Sequence, residues 1–140
     1  MTNSNLHLMI IEILKELEDR IPQIQCSFVC SSYGLPIASD SDRYDDDRLS
    51  AEVSAILSVA EHLIFDIKAG NIDNIVISAD NGIMIIKSAS SEAVLSVKSD
   101  PDFKPGLLIF EVNRTAKKLE TLFNKNLEQL NETKVAIAGE

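Results

Sequence analysis

At 140 residues the chain is long enough to bury one core without disulfides or a metal. Its net charge of −9 excludes nucleic acid and anionic membrane surfaces as natural partners, because both demand clustered Lys and Arg. Aromatic residues make up only 5% and Trp is absent, so the core has to be built from Ile, Leu, Val and Ala.

No run of about 18 apolar residues is present to span a bilayer. The start, Met1-Thr2-Asn3-Ser4-Asn5, lacks the basic region and small-residue cleavage site of a signal peptide, and Thr2 in place of Gly excludes myristoylation. A cytoplasmic protein is expected.

The first helix is marked by Leu6, Met9, Ile10, Ile13, Leu14 and Leu17, ending near Arg20 with Pro22 as a stop. Ile24, Cys26, Phe28 and Cys30 alternate with Gln25, Ser27, Val29 and Ser31, which is the period of a strand. In a strand Cys26 and Cys30 lie roughly 13 Å apart, too far for a disulfide. Both are expected to be small buried hydrophobes. Ser32-Tyr33-Gly34 turns the chain into a short strand from Leu35 to Ser39, where Pro36 predicts a sheet edge.

Asp40 to Asp47 is a polar loop whose acidic end favours the dipole of the helix that follows, Arg48 to Lys68. Gly70 is the expected stop for that helix. Two strands, Asn74 to Ala79 and Ile83 to Lys87, flank Asp80-Asn81-Gly82, a hairpin signal. Ile83-Met84-Ile85-Ile86 is apolar on both faces, so the sheet has to be covered on both sides. Ala93 to Lys98 reads as a fifth strand. A last helix runs from Leu107 to the Asn126 region, with Leu108, Val112, Ala116, Leu119 and Phe123 as its stripe. One domain over residues 1–130 is expected, with 131–140 as a frayed tail.

The helix Arg48 to Lys68 carries too little charge for a surface helix. Leu49, Val53, Ile56, Ala60, Leu63, Ile64 and Ile67 form the stripe expected to face the sheet. The opposite side holds Ala51, Ala55, Ser58, Val59, His62 and Phe65, with Glu52, Glu61 and Asp66 at its flanks. Small residues let another backbone approach, so a partner chain is expected there, plausibly a second copy. Ile75, Val76 and Ile77 are contiguous and β-branched, an aggregation risk at a sheet edge unless covered. One twofold axis would cover both the strand and the helix face. The expected self-contact is Ala51, Ala55, Ser58, Val59, His62, Ile75, Val76 and Ile77.

Catalytic patterns are missing: no HExxH, paired CxxC, glycine-rich phosphate loop or GxSxG occurs. Five aspartates between Asp40 and Asp47 raise a calcium site, but EF-hand spacing is absent and Arg43 and Arg48 oppose a cation. A solvated acidic loop is the simpler reading. His62 reads as an interface histidine before a ligand or a pH-sensitive contact. Arg43, Arg48 and Arg114 read as solubilising residues before arginine fingers. No cofactor, metal or enzyme activity is expected.

The chain resembles the Roadblock family of dynein light chains and small-GTPase regulators from about Leu6 to Phe123. The resemblance rests on Phe28-Val29-Cys30-Ser31-Ser32-Tyr33-Gly34-Leu35-Pro36-Ile37-Ala38, on the Ala/Ser-rich second helix, and on the hairpin from Ile75 to Ile86. It implies an α+β three-layer sandwich in the order α-β-β-α-β-β-β-α. A five-stranded antiparallel sheet would carry one helix on one face and two on the other. It also implies dimerisation through the second helix and third strand, and a non-enzymatic platform for a Ras-like small GTPase. Arg48, Glu52, Glu61 and Asp66 are the expected partner-binding rim. A passive adaptor joining subunits of a larger complex is the alternative. Tyr33, Pro36 and the extended last helix depart from the family pattern.

Overall fold

The computed structural model describes residues 2–40 and 44–138, with side chains over 5–40 and 44–128. Its elements are α1 (Thr2–Arg20), β1 (Ile24–Ser31), β2 (Pro36–Ser39), α2 (Asp46–Asp66), β3 (Ile75–Ala79), β4 (Gly82–Ser88), β5 (Ala93–Ser99) and α3 (Pro105–Ala138). The strands form one antiparallel sheet in the spatial order β2-β1-β5-β4-β3. α1 and α3 cover one face and α2 lies on the other, the expected three-layer α+β sandwich. Asp42 and Arg43, part of the acidic loop, lie outside the described residues.

The larger core joins Ile10, Leu14 and Leu17 of α1 and Leu108, Val112 and Leu119 of α3 to Val29, Ile85, Leu95 and Val97 of the sheet. The smaller core, under α2, holds Phe28, Cys30, Val53, Leu57, Ile86 and Val94. β4 feeds both, Ile83 and Ile85 into the first and Ile86 into the second, as its unbroken apolar run requires. β1 is buried on both faces as well, Ser27 and Val29 included, although its sequence alternates like a half-exposed strand. Pro36 opens β2 at the sheet edge, where its missing N–H costs no ladder bond.

The Asp80–Asn81 pair alone makes the β3–β4 turn, and Gly82 is already in the strand opposite Ala79. A Cβ on Gly82 would lie 2.7 Å from Cε of Lys98, a flexible side chain free to swing aside, and 3.3 Å from the Ser99 carbonyl oxygen. Cys26 and Cys30 are buried and unbridged. Burial pushes the Cys30 thiol up to about 11.

Charge pairs lock α1 against α3 in antiparallel order. Arg20 Nε donates to Glu111 Oε2 at 2.8 Å, and Lys118 Nζ to Glu16 Oε2 at 3.3 Å. α3 begins two residues before the expected Leu107 and runs past Leu130, where a frayed tail is expected, to Ala138.

Glu18 of α1 is half-buried beside Asp40, just after β2. Desolvation, reinforced by a hydrogen bond and repulsion from Asp40, pushes its carboxyl from 4.5 up to about 8. The folded state therefore holds this proton more tightly than the unfolded chain. Its contribution is full below about pH 4.5 and is lost as pH rises through about 8. Glu18→Gln should flatten the fall in stability between those values, measured by urea unfolding at several pH values. Glu111→Ala should cost about 1–3 kcal/mol in the same assay, because the half-buried Arg20 is left unpaired.

Candidate protein-interaction surface

α2 begins at Asp45, whose carboxylate accepts from the Arg48 N–H at 3.3 Å, and Asp46 and Asp47 sit in its first turn. It ends four residues before Gly70. Lys68 adopts φ 57, its N–H donates to the Phe65 carbonyl, and the Ala69 N–H donates to the Ile64 carbonyl at 3.0 Å. That is a Schellman closure with a lysine in the left-handed position usually held by glycine.

The inward side of α2 is turned from the expected stripe. Ser50, Val53 and Leu57 are buried, and Leu49 and Ala60 partly so. Ile56, Leu63 and Ile67, expected in the core, are 39%, 58% and 62% exposed. The buried spacing of three and four residues is just as helical, displaced by about 60° around the axis. Ser50 is fully buried beneath the helix, with no hydrogen-bond partner for its hydroxyl among the described residues.

α2 packs on β1 and β2, at one side of its sheet face. The far side of that face is left thinly covered. Ile77, Ala79, Met84 and Lys98 line a hollow of about 520 Å³ there. β3 pairs with β4 alone, so its other backbone edge is open. Val76 and Ile77 are 43% and 39% exposed and Ile75 is half-buried against the α2 core. Ala60 and Leu63 border the segment leading into Ile75, which brings one flank of α2 beside the open strand.

Ala51, Ala55, Ser58, Val59 and His62, expected at the self-contact, are all exposed, Val59 by 68%. Ile56 and Leu63 extend this apolar flank, and the sequence reading missed them. Leu57, a better core partner for Val53, is the signal that could have shown the true phase. The expected partner-binding residues separate. Arg48, Glu52 and Asp66 follow the stripe of Ala55, Val59 and His62, and Arg48 Nε donates to Glu52 Oε1 at 3.0 Å in the open. Glu61 falls on another flank with Ser54, Ser58 and Phe65.

Among the described residues no cluster of three His, Cys, Asp or Glu side chains could hold a metal ion. Among the same residues no helix is long and apolar enough to cross a membrane.

The family model of the Roadblock/LC7 domain matches residues 10–99, from α1 to the end of β5. No curated protein matches the sequence. Among solved structures, a Roadblock/LC7 domain from Streptomyces avermitilis is 18% identical, with TM-score 0.74 over 80% of this chain and 95% of that one. MglB from Myxococcus xanthus is 17% identical, with TM-score 0.77 over 84% and 96%. An MglB in a tetrameric arrangement is 14% identical, with TM-score 0.78 over 86% and 91%. These likenesses extend through the same antiparallel sheet and helix layers, and with most of its length matched by the family, the chain belongs to the Roadblock/LC7 domain family.

Proposed function

We propose that two copies join through α2 and β3, and that the joined α2 helices form a platform that binds a Ras-like small GTPase and regulates or positions it. The observation that carries this reading is the apolar flank of α2 lying beside the open edge of β3. Ile56, Val59, Leu63, Val76 and Ile77 are costly to leave in water, at about 25 cal/mol per Å² of apolar area. A twofold contact between β3 strands satisfies their open backbone and lays the two α2 flanks together. The tetrameric arrangement of one MglB supports self-association as a habit of this fold.

The GTPase is the partner class that membership of the Roadblock family brings to such a surface. Acidic residues at its rim, Glu52, Glu61 and Asp66, favour a partner with a basic patch and speed its approach. The protein acts here as a regulator without an active site of its own, by holding the conformation of the GTPase's catalytic residues.

Ala55→Arg and Val59→Arg should each yield monomers or aggregates, because a charge without a partner would be buried between the helices. Light scattering reads the mass, and an intact dimer for both variants refutes the contact. In a pull-down from native lysate loaded with GDP or a GTP analogue, a Ras-like GTPase should be retained mainly in one nucleotide state. Equal retention in both states would instead assign the protein to passive adaptors.

A further inference from the structure

The β1–β2 turn is fastened far more firmly than a solvent loop requires. Ser31 Oγ accepts from the N–H groups of Tyr33 at 3.3 Å and Leu35 at 3.0 Å. Ser54 of α2 donates to the Ser32 carbonyl at 2.8 Å, and the Ser32 N–H donates to the Glu92 carbonyl at 3.2 Å. Gly34, at φ +89, lies so close to α2 that a Cβ would stand 3.3 Å from Cα of Ala51. So held, the turn presents Tyr33 at 88% and Leu35 at 66% exposure.

The same flank of α2 leads from Ser54 to Phe65, about 16 Å at 1.5 Å per residue. Phe65 is 79% exposed. With Glu61, Ile64, Ile72 and Ser88 it lines a hollow of about 300 Å³. Ser88 ends β4, and the turn that follows carries Glu92 beside Ser32. One surface thus runs from the β1–β2 turn, past the β4–β5 turn, to the hollow beside Phe65. Glu61 and Glu92 have no ion-pair partner among the described residues. The β3 edge lies along another flank of α2, marked by Ala60 and Leu63, so a contact through β3 leaves this surface open.

We propose that this surface is where each protomer grips its GTPase, a deepening that rests on the platform reading above. The occupant is a segment of the GTPase that seats an apolar side chain in the hollow and sets Lys or Arg against Glu61 and Glu92. Charge complementarity selects it: the two carboxylates are unpaired among the described residues, and the exposed apolar side chains of Tyr33, Leu35 and Phe65 share their surface. Aromatic anchors bind at small entropic cost, and the hydrogen bonds that hold the backbone of the turn place Tyr33 in advance.

The probe is the GTPase retained by the unmodified chain, purified and loaded with a GTP analogue, and titrated against the full-length protein by calorimetry. One variant combines Tyr33→Ser with Leu35→Ser, and a second combines Glu61→Lys with Glu92→Lys. Both should remain dimers by light scattering and bind at least about tenfold more weakly. The charge-reversed variant should also lose the salt dependence of the unmodified chain. Unchanged affinity in both variants overturns this surface while leaving the platform reading intact. Conversion of either variant to monomers would assign the surface to self-contact and overturn it too. Failure of the unmodified chain to retain any GTPase overturns both readings.

Discussion

Every layer of this protein depends on keeping two apolar sheet faces out of water with an odd number of helices. β4 and β5 bury side chains above and below, and a sheet of that kind is stable only between two covers. The α1–α3 pair spans its face and forms the larger core. α2 alone has the other face, and it lies toward β1 and β2. The shortfall appears at β3 and β4, where Ile77 and Met84 border an open hollow. The apolar exposure at β3 and β4 is therefore a consequence of geometry, at a place where one more helix would fit.

α2 answers to two environments, and its composition records both. Toward the sheet it offers Val53, Leu57 and the small Ser50. Away from the sheet it offers alanines and branched aliphatics in place of the usual salt bridges, with Arg48–Glu52 as its one ion pair among the described residues. Such an exposed i,i+4 pair contributes only about 0.3–0.5 kcal/mol. The outer surface thus exposes apolar side chains with little ionic pairing.

Polar contacts have a separate role, which is to fix where the apolar groups stand. Arg20 and Glu111 set the register of α1 against α3, and Ser31, Ser54 and the Glu92 carbonyl set the β1–β2 turn against α2. The same economy of polar groups leaves Glu18 and Asp40 close enough for burial to retain a proton near neutrality. None of these groups forms a catalytic constellation among the described residues.

Element order, strand alternation, the edge position of Pro36 and the doubly apolar β4 were legible in the residues, because each depends on local spacing or a missing N–H. The two-sided burial of β1 and the phase of α2 were not. Spacing determines that a helix has an apolar stripe, but where Ile56 adjoins Leu57 and Leu63 adjoins Ile64, two stripes satisfy it equally. Only the position of the sheet beneath α2 chose Leu57 over Ile56. The end of α2 near Lys68 was legible but its cause was not, since backbone hydrogen bonds hold a lysine in the left-handed position where Gly70 was the expected stop. By itself the sequence determined the antiparallel sandwich and its want of catalytic motifs. The tertiary structure decided which side of α2 meets water, because that depends on how one rigid layer settles on another and not on any spacing along the chain.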